Sequence, residues 1–260
     1  MLASSRAGEA RECEATSRWV FDVTFGRPRR HYRSTDSTNQ RGRELAERGA
    51  PSGTVLTADE QTAGRGRRGR AWTAPPGKAL LYSAILRPLD ERHGLLPLAV
   101  PLAVCESVEA LAPVSCRVKW PNDVWIEERK VAGALIEARP PDWAVIGVGL
   151  NVAIDPGEFA DGLRWPATSV GHGVTVEAML SALNRGLGGW VAASPGRVLE
   201  AYRERDALRG RTVAWDGGPP GSDSGRGTAS GVDGAGNLLV DSVAGDHLVL
   251  GAGEVHLSVP

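Results

Sequence analysis

The 260 residues carry 30 Lys and Arg against 31 Asp and Glu, a formal net charge of -1. No overall positive field therefore draws the chain to nucleic acid or anionic lipid, and any anion site must be a local arrangement. Three cysteines without C-x-x-C spacing, no signal-like apolar stretch and no run of about 18 apolar residues exclude a disulfide framework and a membrane span, leaving a reduced, cytoplasmic chain as the expectation.

Residues 1–25 are polar and mixed in charge and read as a mobile leader. Residues 38–48 predict a helix with Ser37 or Thr38 as N-cap and Gly49 as its stop. Strands are expected at 53–58 and 79–86, on either side of a Gly/Arg-rich stretch at 64–70. Apolar residues at helical spacing mark 95–111, where Pro101 should kink or delay the helix. An extended segment at 116–118, a hairpin over 124–126 and 131–138, and a strand at 143–152 follow. Two helices come next, the first capped by Thr175, the second by Ser194 with Pro195 at its first position. After Leu208 the texture changes to short strand signals at 212–215, 227–232, 238–241, 247–250 and 255–259 between Gly, Asp and Asn turns. That is the pattern of a small all-β unit, with residues 216–225 too polar and broken to order themselves.

Residues 64–69 spell G-x-G-x-x-G, but the dinucleotide fingerprint needs its last glycine to open the helix of a βαβ unit. Here the chain runs on to Trp72, Pro75-Pro76 and a strand. Gly64, Arg65, Gly66, Arg67 and Arg70 suit another task, because freed backbone N–H groups and guanidinium forks can wrap a polyanion. A solvated basic loop would carry the same residues. So would an RNA-binding stretch, although the interleaved aromatics that stack bases are missing.

In Lys119-Trp120-Pro121-Asn122-Asp123 a stiff turn holds a lysine and a carboxylate in fixed relation. The pairing suits a nucleotide phosphate and its Mg2+; a salt-bridged β-turn is the alternative. Lys130 stands at the mouth of an apolar strand, a position more often solvated than catalytic. Gly133 inside that strand hints at close approach by a ligand or another backbone. Gly147 and Gly149 repeat the theme before Asn151, whose amide could read a base or a ribose. Ser37, Thr38 and Asn39 place small polar groups at a helix start, fit for a neutral polar head such as a ureido ring or for capping alone.

In order and spacing these segments resemble the biotin protein ligase family. The motifs are Ser-Thr-Asn at 37–39, Gln-x-Ala-Gly-Arg-Gly-Arg-x-Gly-x-x-Trp at 61–72, Lys-Trp-Pro-Asn-Asp at 119–123, Lys-x-Ala-Gly-x-Leu-x-Glu at 130–137 and Gly-x-Gly-x-Asn at 147–151. A closing Gly-x-Gly-Glu-Val-x-Leu at 251–257 extends the resemblance over about residues 33–260. It implies an α/β (α+β) fold: a mixed β-sheet flanked by helices, class II synthetase-like, over 26–208, then a small SH3-like β-barrel over 209–260. It also implies an ATP-dependent ligase that forms biotinyl-5′-AMP and transfers biotin to a lysine of a biotin carboxyl carrier domain.

Carried over by motif, Ser37, Thr38, Asn39 and Gln61 would hold the ureido ring. Gly64, Arg65, Gly66 and Arg67 would cover the biotin carboxylate and the phosphate, with Gly133 beside them. Lys130, aided by Arg67, would bridge carboxylate and α-phosphate as the catalytic cation. Arg67, Arg70, Lys119, Asn122, Asp123, Lys130 and Asn151 would serve ATP, Asp123 through Mg2+, and Trp72 would close over the intermediate. Only 36 residues precede Ser37, without helix-turn-helix patterning, so no DNA-binding role is expected. A lipoate or octanoyl transferase on a similar fold is the nearest rival reading, and an RNA-binding module built on the arginine loop is the rival from another class. The sequence leaves oligomeric state open, a homodimer included.

Overall fold

The computed structural model describes residues 23–163, 165–216, 224–251 and 256–258. The leader expected at 1–25 lies almost wholly outside the described residues, as do the tip of the loop at 216–225 and most of the motif at 251–257.

Seven strands build a mixed sheet: β1 (Arg29–Thr35), β2 (Val55–Gln61), β3 (Ala79–Leu86), β4 (Cys116–Lys119), β5 (Asp123–Ile126), β6 (Arg129–Arg139) and β7 (Trp143–Asn151). Their order is β1-β2-β3-β7-β6-β5-β4, with β1 and β2 parallel and the remaining neighbours antiparallel. Nothing in the sequence announces β1, because Arg-Arg-His-Tyr-Arg is an exposed edge strand with no buried face to create an apolar alternation. The other strands fall where alternation and apolar runs place them. The turn joining β5 to β6 has two central residues, Glu127 and Glu128, both at positive φ (48° and 63°), the twist-matching geometry of a tight hairpin.

Four helices cover the sheet: α1 (Thr38–Glu47), α2 (Leu96–Glu109), α3 (Val176–Val191) and α4 (Pro195–Arg205). Gly42 of α1 lies against Val145, whereas Tyr82, the register partner of Val148, donates to Asn184 of α3. Positions 145 and 148 point to opposite faces of β7, so α1 stands alone on one face and α3 on the other, beside α2. Helix α1 stops as expected, Gly49 taking φ +83° and donating to the Ala46 carbonyl. Thr175 and Ser194 both cap through their side chains. Helix α2 is not delayed by Pro101: it begins at Leu96 and runs through to Glu109 with the proline inside it. Proline there removes one hydrogen bond, while burial of Leu98, Val100, Leu102, Val104 and Cys105 on all sides of the helix holds it in place.

A second sheet, β8 (Thr212–Asp216), β9 (Gly225–Val232), β10 (Leu238–Ser242), β11 (His247–Leu250) and β12 (His256–Ser258), is antiparallel in the order β11-β10-β9-β8-β12. Its size and position are consistent with the SH3-like unit expected. Val213, Trp215, Leu238 and Val240 belong to the same buried cluster as α2 and the main sheet. The hydrophobic core therefore runs unbroken from one sheet to the other.

Candidate active site

A cleft of about 130 Å³ opens on the α1 face of the main sheet, between the start of α1, the loop after β2 and the strands β5, β6 and β7. Its polar end is built around the first turn of α1. Ser37 has extended backbone and makes no capping bond, so its hydroxyl is left to line the cleft. The Thr38 N–H and hydroxyl both meet Gln61 Oε1, at 2.7 and 3.1 Å. Asn39 Nδ2 donates to Glu137 Oε2 at 2.9 Å and to the Leu135 carbonyl at 3.3 Å. The buried Ser83 hydroxyl sits 2.6 Å from Asn39 Oδ1 and 2.8 Å from Thr38 Oγ1.

Glycine forms the floor because two side chains already occupy the space above it. A Cβ at Gly147 would lie 2.1 Å from Asn39 Oδ1, and one at Gly149 only 2.3 Å from Cε2 of Trp72. The indole of Trp72 thus lies directly on the backbone of β7. Its Nε1 is buried without a hydrogen-bond partner among the described residues.

The charged end stands on β5 and β6. Lys130 Nζ meets Asp123 Oδ1 at 2.7 Å and lies 5.5 Å from the Trp72 ring centroid. Strict alternation would put Lys130 and Gly133 on opposite faces. The register between β5 and β6 shifts, however: Val124 pairs with Ala132 and Trp125 with Lys130, leaving Val131 as an extra residue. Val131 and Ala132 are both buried in the core, and Lys130 is returned to the face of Asp123. On its other side Lys130 is clamped by the backbone of Pro166 and Thr168.

The loop over the cleft does not open a helix after its last glycine, so the dinucleotide reading fails on geometry. It folds back through Gly66 N–H to the Arg70 carbonyl (2.7 Å) and forms a 3₁₀ turn at Arg67–Gly69. Arg65 reaches Glu137 Oε1 at 2.7 Å. Arg67 donates to Asn122 Oδ1 at 3.2 Å, and the Asn122 amide is fixed in turn by the Ala134 carbonyl at 2.7 Å. Burial pushes the Arg67 guanidinium below its usual pKa, Arg68 and Arg70 push the same way, and Asp123 opposes them. Cations crowded in a half-buried place favour an anionic ligand.

Ser37, Thr38, Asn39, Gln61, Arg65, Gly66, Arg67, Arg70, Trp72, Asn122, Asp123, Lys130 and Gly133 all line the cleft. Gly64, Lys119 and Asn151 do not. Gly64 is buried behind the loop, where its carbonyl accepts from the Trp72 N–H at 2.9 Å. Buried Asn151 donates to the Thr168 carbonyl at 3.0 Å. Lys119 holds its ammonium 4.4 Å from the Trp165 ring centroid and 5.6 Å from that of Trp125. Sequence reasoning missed both tryptophans, as well as Ser83 and the bridging part of Glu137. Trp165 carries no motif signal, and Ser83 lies hidden inside an apolar strand.

Comparison with known proteins places this arrangement in a class. The Biotin/lipoate A/B protein ligase family matches residues 31–151. The biotin–[acetyl-CoA-carboxylase] ligase of Mycobacterium tuberculosis is 35% identical over 232 residues, 85% of this chain and 85% of that protein. The bifunctional ligase/repressor BirA of Bacillus subtilis is 39% identical over 140 residues, 52% of this chain, and the match spans 43% of that longer relative. The biotin protein ligase from Aquifex aeolicus in complex with biotin and ATP superposes with a TM-score of 0.76 at 28% identity, covering 89% of this chain and 99% of that one. The chain belongs to the biotin protein ligase family.

Proposed function

We propose that this chain is an ATP-dependent, AMP-forming ligase that makes biotinyl-5′-AMP and passes biotin to a lysine of a biotin carboxyl carrier domain. One observation carries the reading. A neutral hydrogen-bonding pocket at Asn39 and Gly147 and a cation cluster at Lys130 and Arg67 share a single cleft. Gly133, beside Lys130, pairs with Gly149, two residues along β7 from Gly147 and so about 7 Å away. A bicyclic ureido head with a carboxylate tail has that polarity.

In the first step a biotin carboxylate oxygen attacks the α-phosphorus of ATP. The bond to the β-phosphate oxygen breaks, and pyrophosphate leaves with the electron pair. Two anions meet, so the catalytic need is preorganised positive charge, which Lys130 and Arg67 supply; Arg65, Arg70 and the loop N–H groups close over the phosphates. In the second step the carrier amine attacks the acyl carbon, AMP departs, and the amine proton passes to solvent. Neither step needs a protein nucleophile. Half-buried Trp165, its ring centroid 5.7 Å from that of buried Trp125 and 4.4 Å from the Lys119 ammonium, would offer a flat apolar surface to a base.

Asp123 is the one carboxylate among the residues lining the cleft, and it is already paired with Lys130. Among the described residues no cluster of three His, Cys, Asp or Glu could cage a metal ion. Asp123 would be the protein carboxylate that holds a Mg2+ arriving with the nucleotide, and that ion would neutralise triphosphate charge.

Incubation with biotin, MgATP and a carrier domain, followed by mass spectrometry of the carrier, tests the reading. Pyrophosphate release that depends on biotin and a biotinylated lysine are expected. Release driven by lipoate or octanoate and not by biotin would overturn it.

A further inference from the structure

We propose that Glu137 is a positioning residue: one carboxylate both fixes the hydrogen-bonding direction of the polar pocket and clasps the arginine loop over it. This rests on reading the cleft as the biotin site. Glu137 lies on β6 on the cleft face, with its two oxygens turned to different neighbours. Oε2 accepts from Asn39 Nδ2 at 2.9 Å, and Oε1 accepts from Arg65 Nη2 at 2.7 Å, with Arg43 Nη1 at 3.5 Å.

A carboxylate and the Leu135 carbonyl can only accept, so together they hold the Asn39 NH2 group on their side. Asn39 Oδ1 must then face Ser83, which carries one hydroxyl proton and has to donate it at 2.6 Å. The Thr38 hydroxyl, 2.8 Å from Ser83 and 3.1 Å from Gln61 Oε1, is left as a donor. Gln61 Oε1 also accepts the Thr38 N–H, which turns the Gln61 amide nitrogen away from α1 and towards the loop at Gly64. A ureido ring presents one acceptor oxygen and two N–H donors, so affinity depends on the pocket groups pointing one way. Without an acceptor-only partner the Asn39 amide could turn over and present the wrong atom. The same carboxylate supplies the loop with an anchor, because Arg65 is held by Glu137 and not by any other acidic group among the described residues.

Glu137→Ala and Glu137→Gln, studied in the full chain, separate the two parts. The measurements are calorimetric affinities for biotin, for 2-iminobiotin (in which an imino nitrogen replaces the ring carbonyl oxygen) and for MgATP, with amide exchange over residues 64–70. For Glu137→Ala, biotin affinity should fall about tenfold or more, the preference for biotin over 2-iminobiotin should shrink, and ATP affinity should fall no further than it does in Arg65→Ala. Glu137→Gln keeps an acceptor for Asn39 but not a carboxylate for Arg65. It should retain the ligand preference while the loop loses protection, and Arg65→Ala should match it. A folded Glu137→Ala protein with biotin affinity and ligand preference unchanged would overturn the proposal, as would equal weakening for biotin, its analogue and ATP. Failure of the unsubstituted protein to bind biotin would instead overturn the reading of the cleft.

Discussion

The indole N–H of Trp120 donates to the backbone carbonyl of Gly236 at 2.9 Å, tying the Lys-Trp-Pro-Asn-Asp turn of the main sheet to the β9–β10 turn of the small one. Trp120 is 1% exposed, and Gly236 rests against Leu95 and Leu98 at the start of α2. The small sheet thereby buttresses the segment that carries Lys119, Asn122 and Asp123. Trp120→Phe keeps most of the ring and loses the donor, at a cost of about 1–3 kcal/mol for the orphaned carbonyl. The expected result is a raised KM for ATP with biotin affinity little changed. Equal losses for both substrates would assign Trp120 to general stability alone.

Lys130→Ala should depress adenylate formation about 10²-fold or more, the scale seen when an electrostatic stabiliser of the transition state is removed. Thermal unfolding should move far less, because the side chain is a quarter exposed and its partner Asp123 can be rehydrated. Near-normal pyrophosphate release by the folded variant would remove Lys130 from the mechanism.

Gly149→Ala places a methyl group where the Trp72 ring now lies, 2.3 Å from Cε2. The indole must lift, so the cleft should lose its cover while the strand, whose backbone is ordinary, stays folded. Fluorescence of Trp72 should shift towards that of a solvated indole, and biotin affinity should fall. Trp72→Ala combined with Gly149→Ala should show no further loss, since both changes remove the same contact.

Asp206 gives the fold a defined response to pH. Its carboxyl is buried, one oxygen accepting from the Leu208 N–H and Tyr202 while Oδ2 has no partner among the described residues. Burial raises its pKa above the usual 3.8, with those hydrogen bonds opposing. A carboxyl whose pKa is raised on folding binds its proton more tightly in the native state, so its contribution is best below the unfolded value and is lost as pH rises through the folded one. Asp206→Asn should therefore raise Tm at about pH 7, with the gap from the parent protein closing towards about pH 4. A constant difference across that range would exclude the titration as its cause.

Residues 64–70 concentrate four arginines in one loop, in which Arg65 is held to Glu137, Arg67 to Asn122 and the backbone turns back on itself. Mutual repulsion should keep it open part of the time until an anion arrives. Amide exchange over the loop should slow on addition of biotin with MgATP and slow less with biotin alone. Identical exchange with and without ligands would mean that the loop is already closed.

Much of this was legible in the sequence where one residue type has one physical use. The apolar run at 79–86 has the length of a buried strand, and Ser194-Pro195 pairs a capping hydroxyl with the fixed φ of a helix start. Thirteen of the sixteen residues named for the site line the cleft, because motif order reports which loops converge. What stayed hidden depends on pairing across the sheet. Edge strand β1 has no core face to leave a pattern, and Ser83 reads as a stray polar residue until Asn39 and Thr38 are set beside it. Lys119 and Asn151 are assigned to the nucleotide by motif, but they sit just behind the cleft wall, held by Trp165 and Thr168.

The extra residue at Val131 makes the position of Lys130 a matter of parity. A substitution beside it leaves that count intact, so the lysine tolerates changes in its neighbours. Drawing Val131 into the ladder opposite Trp125, with the strand length unchanged, would set Lys130 opposite Ile126 and turn its ammonium through the sheet into the apolar layer beneath α2, although every residue of the cleft would still be present. A chain aligned motif by motif could thus look complete and yet have its charge on the wrong side, so the irregular pairing of this strand is as much a functional feature as its composition.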